Sequence, residues 1–167
     1  MTANGKTMVT EIERKFLLRN DDWRALAGEG VAYRQGYLVG SDRASVRVRI
    51  EGEQAYLNIK SATLGIERME FEYPIPREDA EVLLARLCQQ PLIEKRRYTF
   101  MYEGKQWEID VFEGDNAGLV VAEIELQSVD EEFVRPPWLG EEVSDDPRYY
   151  NVSLVTHPYR EWREQGT

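Results

Sequence analysis

Cysteine and histidine are nearly missing from this chain, with one residue of each among 167. The single Cys88 excludes an intrachain disulfide and a cysteine-based metal site, and its apolar helical surroundings favour a buried thiol. The single His157 stands beside Pro158 near the C-terminus, which argues against Ser-His-Asp catalysis. Acid–base chemistry would therefore use carboxylates, lysine or tyrosine. A bound metal would be a hard ion with oxygen ligands, such as magnesium, manganese or calcium.

Long apolar runs, a signal-peptide pattern, internal repeats and Gly- or Pro-rich linkers are also missing. We therefore expect a cytoplasmic protein without membrane attachment. The length suits a single domain, predicted over residues 9–167 after a flexible leader at residues 1–8. The chain carries 31 acidic and 21 basic residues, a net charge of −10. This balance argues against a general nucleic-acid-binding protein, which relies on a net basic surface.

What the chain has in abundance is alternation of charged and apolar residues with a period of two. In a strand, such alternation places Glu11, Glu13 and Lys15 on one face, and Ile12 and Phe16 on the other. The pattern predicts eight strands, at about residues 9–18, 31–39, 44–51, 54–61, 66–75, 93–103, 106–114 and 118–128. Because short turns join several consecutive strands, these neighbours are predicted to be antiparallel.

Four helices are predicted between and after the strands. Asn20 can cap a short helix that ends at Gly28. Residues 77–89 have the clearest helical spacing of apolar residues. Residues 129–134 are predicted to form a short helix that is stopped by two prolines, and Pro158 can open a C-terminal helix.

The charged strand faces have two possible orientations. In one, they meet water and the apolar faces fill an ordinary barrel core. In the other, they line a tunnel and the apolar faces point outward beneath helices. The signs of the charges favour the tunnel, because Arg47 and Arg49 repeat one sign on one strand while Glu123 and Glu125 repeat the other. Such neighbours repel unless a phosphate chain compensates the bases and divalent cations compensate the carboxylates.

Charged and polar motifs follow one another in a fixed order along the predicted strands. They are Glu11-Ile12-Glu13-Arg14-Lys15, Gln35-Gly36-Tyr37-Leu38, Arg47-x-Arg49, Lys60, Glu70-x-Glu72, Lys95-x-Arg97, Asp110, Glu123-x-Glu125 and Asp146-Pro147-Arg148-Tyr149-Tyr150-Asn151. The first motif is similar to the Glu-x-Glu-x-Lys signature of CYTH domains, the triphosphate tunnel metalloenzymes. The ordered set as a whole resembles that family over about residues 9–160.

The resemblance implies a fold and a type of reaction. The fold is of the α+β class and mainly antiparallel β: an eight-stranded closed β-barrel, the triphosphate tunnel, with helices packed on the outside. Family members hydrolyse or cyclise triphosphate-bearing substrates with Mg²⁺ or Mn²⁺. They include inorganic triphosphatases, thiamine triphosphatases, class IV adenylate cyclases and fungal-type RNA triphosphatases.

The resemblance and the residue chemistry together assign roles to the charged side chains. The predicted phosphate-binding residues are Lys15, Arg47, Arg49, Lys60, Lys95 and Arg97, since a guanidinium fork can contact two oxygens at once. The predicted metal ligands are Glu11, Glu13, Asp110, Glu123 and Glu125. The predicted catalytic residues are Lys15, Tyr37 and Glu13. Glu70, Glu72 and Glu108 are assigned supporting roles, at metal or water or beside the basic residues.

Several of these assignments leave alternatives open. Tyr37 is predicted to handle protons together with Lys15, and its alternative is an ordinary strand tyrosine. The glutamate that accepts a proton from water is not identified by the sequence. Tyr149, Tyr150 and Asn151 are predicted to close one mouth of the tunnel.

The expected reaction is hydrolysis of inorganic tripolyphosphate to pyrophosphate and phosphate. The compact chain shows no insertion that would supply a pocket for an organic group. The alternatives are a nucleoside or thiamine triphosphatase, a class IV-type adenylate cyclase, and a non-enzymatic polyphosphate-binding module. The expected partner is a small polyanionic substrate, and neither nucleic acid nor a membrane. The oligomeric state is left open, a dimer included.

Overall fold

The computed structural model describes residues 8–62 and 66–162, which form nine β-strands and three α-helices. The strands are β1 (Met8–Leu18), β2 (Val31–Gly40), β3 (Ala44–Glu51), β4 (Gln54–Ser61), β5 (Glu67–Pro74), β6 (Ile93–Tyr102), β7 (Lys105–Phe112), β8 (Val120–Glu125) and β9 (Leu139–Glu142). The helices are α1 (Arg77–Arg86), α2 (Asn151–Thr156) and α3 (Tyr159–Trp162). The predicted leader at residues 1–8 lies outside the described residues except for Met8, the first residue of β1.

The sheet closes on itself at β1. This strand pairs with β5 along residues 8–12 and with β8 along residues 13–17. The circular order is β1-β5-β4-β3-β2-β6-β7-β8, and all neighbouring pairs are antiparallel. The predicted eight-stranded antiparallel barrel is therefore confirmed.

The short strand β9 was not predicted. It pairs with β1 beyond the end of β5, in the register Phe16 to Glu142 and Leu18 to Leu139. The Arg14 guanidinium donates two hydrogen bonds to the Glu142 carboxylate, at 2.9 Å and 2.6 Å. Four residues are too few for a period-two pattern to stand out, so the contacts with β1 define this strand.

The observed helices differ from the predicted ones in three places. Residues 129–134 form no helix, so that prediction is wrong. Instead, Phe133 packs against Phe16 and Trp107, with ring centroids 6.0 Å and 5.7 Å apart. The segment capped by Asn20 is a single 3-10 turn at Asp22–Ala25, and α2 was not predicted. No helix within the described ranges is both long and apolar enough to cross a membrane.

The apolar side chains pack in three clusters between the barrel wall and the elements outside it. The first places Phe16, Ile109 and Ile124 beneath Trp138. The second joins β6, β7 and β8 to α2 and α3, and the third joins β3 and β4 to α1. Because these buried apolar faces point outward, the hydrophobic stabilisation of the barrel comes from its outer surface.

Gly36 lets β2 approach the end of α1 closely. A Cβ atom at this position would lie 2.8 Å from Cβ of Cys88 and 2.8 Å from Cδ2 of Leu92. Such distances are too short for a side chain unless the segment that follows α1 is displaced. The absence of a side chain on Gly36 thus allows β2, which also carries Gln35 and Tyr37, to pack against this segment.

The ion pair between β1 and β9 predicts an acid-sensitive contribution to stability. Hydrogen bonds from Arg14 lower the pKa of Glu142. A lowered folded-state pKa adds stability that is present above the unfolded pKa of about 4.3 and is lost as the pH falls through the folded value. Glu142→Gln should lower the free energy of unfolding by about 1 kcal/mol at pH 7 and by less at pH 3.5.

Urea denaturation at the two pH values measures this difference. Glu141→Gln is the matched control, since the neighbouring Glu141 is exposed. Its free energy of unfolding should stay within about 0.5 kcal/mol of the wild-type value. The same loss at both pH values for Glu142→Gln would contradict the assignment.

Candidate active site

The closed barrel surrounds a cavity of about 330 Å³. Its charged lining consists of eight glutamates and seven basic residues. The glutamates are Glu11, Glu13, Glu51, Glu70, Glu72, Glu108, Glu123 and Glu125, and the bases are Lys15, Arg47, Arg49, Lys60, Arg68, Lys95 and Arg97. The charged strand faces are thus turned inward, and each predicted site residue except Asp110 lines the cavity.

The two signs of charge are segregated around the barrel wall. The adjacent strands β7, β8, β1 and β5 carry the acidic arc, which consists of Glu11, Glu13, Glu70, Glu72, Glu108, Glu123 and Glu125. The basic arc lies on β4, β3 and β6, and the strand β2 separates β3 from β6. The arc consists of Arg47, Arg49, Lys60, Lys95 and Arg97. Lys15 and Arg68 are bases among the acids, and Glu51 is an acid among the bases.

In the basic arc, Arg49 is held by three neighbours. Its Nε donates to Glu51 at 2.8 Å, its Nη2 donates to Glu72 at 2.6 Å, and its Nη1 donates to the Asn58 amide oxygen at 3.2 Å. Asn58 is fully buried and also donates to Glu72 at 3.0 Å. The guanidinium is therefore oriented before any ligand arrives, which reduces the entropy that binding must overcome.

Asp110 lies behind the basic arc and not at the cavity surface. Its carboxylate accepts hydrogen bonds from Arg97 at 2.7 Å and 2.9 Å, and it forms an ion pair with Lys95 at 2.8 Å. Burial would raise the pKa of Asp110, but Arg97 and Lys95 outweigh it and lower the pKa. These contacts favour a role in orienting the two bases, and the metal-ligand role of Asp110 stays a prediction.

Lys95 is a base of the cavity wall with a strongly lowered pKa. Burial lowers its pKa to about 8, although Asp110 partly opposes this effect. The ammonium also donates to the side-chain oxygen of Asn151 at 3.1 Å. Lys95 is therefore tied both to the barrel wall and to the first residue of α2.

The acidic arc divides into carboxylates with a cationic neighbour and carboxylates crowded by like charges. Glu123 accepts a hydrogen bond from Lys15 at 2.9 Å. Burial would raise the pKa of Glu123, but Lys15, Arg97 and Lys95 hold it well below its usual range. By contrast, burial together with the charges of Glu123 and Glu11 raises the pKa of Glu13 to about 8.

A second crowded carboxylate, Glu125, stands near Glu13 on the neighbouring strand. Burial, with Glu11 and Glu70 adding to it, raises the pKa of Glu125. Lys60 is the cation that lies between Glu11 at 3.3 Å and Glu70 at 3.2 Å. When ionised, the carboxylates in this part of the arc therefore carry more negative charge than its bases offset.

These carboxylates fit a hard divalent cation by their chemistry. Among residues 8–62 and 66–162, no three metal-ligating side chains converge into a ready cage. Magnesium, however, is commonly held by one or two carboxylates together with substrate phosphates and waters. Crowded carboxyl groups with raised pKa values supply oxygen donor atoms, and a cation that takes the place of their protons would relieve the repulsion between the ionised groups.

The predicted partnership of Lys15 and Tyr37 finds different neighbours in the structure. Both residues line the cavity. Lys15 donates a hydrogen bond to Glu123, whereas the hydroxyl oxygen of Tyr37 accepts a hydrogen bond from Arg47. Within the described part of the chain no hydrogen bond joins Lys15 to Tyr37, and their joint proton-handling role stays a prediction.

Several residues of the cavity wall were not predicted as site residues. Tyr33 and Glu51 continue the period-two patterns of β2 and β3, so the alternation could have identified them. Arg68 stands opposite Glu11 in the register of β1 and β5, which becomes known only from the pairing. Of the three residues predicted at one mouth, Tyr150 and Asn151 line the cavity, while Tyr149 is buried in the outer cluster.

The opposite environments of Asp110 and Glu125 predict opposite effects on stability. Asp110→Asn leaves Lys95 and Arg97 without their buried counter-charge, which should lower the free energy of unfolding by about 3 kcal/mol. Glu125→Gln removes a charge that burial and neighbouring carboxylates disfavour, so stability at pH 7 should be unchanged or raised. Thermal and urea denaturation of the two variants measure the contrast, and equal losses would contradict it.

Comparison with known proteins agrees with this geometry. The CYTH domain family model matches residues 9–159. An inorganic triphosphatase from Acetivibrio thermocellus is 48% identical over 157 residues, which cover 94% of this chain and 100% of that protein. An inorganic triphosphatase from Nitrosomonas europaea is 37% identical over 151 residues, which cover 88% and 97% of the two chains.

The structural comparison gives the same result. A crystal structure of an inorganic triphosphatase superposes with a TM-score of 0.64 at 36% identity, covering 90% of this chain and 97% of that one. With the family match extending over most of the described barrel, the chain belongs to the CYTH domain family.

Proposed function

We propose that this protein hydrolyses inorganic tripolyphosphate to pyrophosphate and phosphate with the help of a divalent cation, Mg²⁺ or Mn²⁺. The observation that carries the proposal is the pair of facing arcs inside a closed barrel. The basic arc offers donors to phosphate oxygens, and the acidic arc offers oxygen ligands to a cation. We also propose that residues 9–167 form one domain and that the protein is cytoplasmic.

The relatives support the same substrate. Two proteins that are 48% and 37% identical to this chain carry the name inorganic triphosphatase. Both align along nearly their whole length, so the similarity includes the strands that form the two arcs.

The cavity wall favours an inorganic chain over a substrate with an organic end. Among the described residues that line the cavity, fifteen are charged, three are tyrosines, and Val152 is the single aliphatic one. Pockets for nucleosides or vitamins are usually lined by apolar and aromatic side chains with a few polar groups. A wall composed mainly of charged side chains suits a ligand that consists of phosphate alone.

The basic arc would bind and orient the triphosphate. Arg49 and Arg97 are already fixed by carboxylates, so their remaining donors are preorganised towards phosphate oxygens. When held by one or two of the carboxylates Glu11, Glu13, Glu123 and Glu125 together with phosphate oxygens, a divalent cation would offset the negative charge on those oxygens during transfer.

The chain's own groups would handle the proton and the developing charge. Water attacks the terminal phosphorus, the P–O bond to the leaving pyrophosphate breaks, and a proton of the water passes to Glu13 in its ionised form, which a pKa of about 8 makes a ready proton acceptor. Burial alone would lower the pKa of Lys15, but Glu123 and Glu13 outweigh it and raise the pKa. Lys15 therefore stays protonated and stabilises negative charge on the phosphate oxygens.

A substrate panel tests the proposed reaction. Phosphate release is measured from tripolyphosphate, ATP and thiamine triphosphate, with Mg²⁺, with Mn²⁺, and with chelator. We expect rapid release from tripolyphosphate that depends on the cation, and much slower release from the other two. Formation of cyclic AMP from ATP, or tight binding of tripolyphosphate without turnover, would contradict the proposal.

Arg49→Ala tests the role of the basic arc. The variant loses a preoriented donor pair, so kcat/KM for tripolyphosphate should fall by about 100-fold. Arg86→Ala is the control, because it removes the same charge from the exposed end of α1. Equal kinetics in Arg49→Ala and the control would argue against phosphate binding by this arginine.

A further inference from the structure

We propose that Asn151, the first residue of α2, is a further substrate-binding residue, whose side-chain NH2 group donates a hydrogen bond to a phosphate oxygen. The inference rests on the proposed function, since it names a contact for the same triphosphate. Asn151 lies outside the barrel strands and reaches the cavity from α2. The sequence predicted only that Asn151 helps to close one mouth of the tunnel, and not that it binds phosphate.

The orientation of the Asn151 amide follows from its neighbours. Its Oδ1 accepts a hydrogen bond from Gln35 at 2.8 Å and one from the Lys95 ammonium at 3.1 Å. An ammonium group can only donate, so the atom that faces Lys95 must be the amide oxygen. The Nδ2 group is consequently turned away from β2 and β6.

Gln35 reinforces this orientation from within the wall. It is only 1% exposed, and its Nε2 donates to Asn151. Its own Oε1 is buried and has no partner among the described residues. A reversed Gln35 amide would bring two oxygens together, so the unpartnered oxygen is the consequence of presenting an N–H to Asn151.

The Nδ2 group is thereby the free donor on a residue that lines the cavity. Among the described residues, none accepts a hydrogen bond from it, although Asn151 lies beside Lys95 and Tyr150 in the cavity wall. A triphosphate presents acceptor oxygens along its length. A neutral donor adds a contact to such a chain without adding to the repulsion among the bases of the basic arc.

The helix that carries Asn151 is firmly packed. Leu154 and Val155 of α2 are buried against Tyr37 and Ile93 of the barrel wall. The hydrogen bonds from Gln35 and Lys95 orient the Asn151 side chain, and the apolar packing of Leu154 and Val155 holds α2 in place, before a ligand binds. Such preorganisation is a requirement for a precise ligand contact.

The experiment separates donation to substrate from a purely structural role. Asn151→Ala removes both the donor and the acceptor, whereas Asn151→Asp keeps an acceptor for Gln35 and Lys95 but replaces the donor with negative charge. Ser45→Asp places a carboxylate at another position of the cavity wall and controls for repulsion alone. The measured quantities are KM and kcat for tripolyphosphate with Mg²⁺, and the melting temperature of each variant.

If Asn151 donates to the substrate, Asn151→Ala raises KM by about tenfold, the effect of losing one hydrogen bond to a charged group. Asn151→Asp then raises KM further, and by more than Ser45→Asp, while its melting temperature stays near the wild-type value. A KM for Asn151→Ala equal to that of the wild type would overturn the inference. So would a wild-type KM for Asn151→Asp, because an acceptor alone would then suffice.

A binding measurement distinguishes failure of this inference from failure of the proposed function. Titration calorimetry with tripolyphosphate and Mg²⁺ is performed on the same variants. If the wild type binds tripolyphosphate but does not hydrolyse it, the proposed function fails, and the order of dissociation constants still tests Asn151. Binding by the wild type that is unaffected in Asn151→Ala would overturn the inference alone, and absence of wild-type binding would overturn both.

Discussion

Closure of the barrel at β1 turns one face of each strand towards the cavity, and on every barrel strand except β2 that face carries charged residues. A charge taken out of water must find a counter-charge or hydrogen bonds, because isolated buried ions are strongly disfavoured. Lys15 meets Glu123, Lys95 meets Asp110, and Arg49 meets several acceptors. Within the described ranges, the cavity carboxylates that no ion pair compensates are Glu13 of β1 and Glu125 of β8, and they give the cavity its capacity for a cation.

The period-two alternation made most of this architecture predictable. A charged residue at every second position identifies a strand and divides it into two faces. Positive charges repeat on β3, and negative charges repeat on β8. This repetition indicates that the charged face of each strand lines an enclosed cavity and that the apolar face is covered by helices. The apolar residues Phe16, Ile109 and Ile124 are fully buried, as the tunnel orientation requires. The roles of the individual site residues stay predictions.

The features that sequence reasoning missed depend on contacts between distant parts of the chain. β9 exists through its pairing with β1, and residues 129–134 are held by the rings beneath Phe133 and not by helical hydrogen bonds. The burial of Asp110 behind the bases follows from cross-strand geometry with Arg97. Segregation of the two arcs requires β2 to lie beside β6. Because β3, β4, β5 and α1 separate these two strands in the sequence, no local pattern specifies their pairing.

Segregation of the arcs around the circumference has a consequence for the electric field inside the barrel. Because one half of the wall is basic and the other half acidic, the electric field has a component that points across the bore. This component draws a linear polyanion towards the basic half, whatever the length of the chain. Discrimination between short and long phosphate chains would then depend on the groups that meet a terminal phosphate.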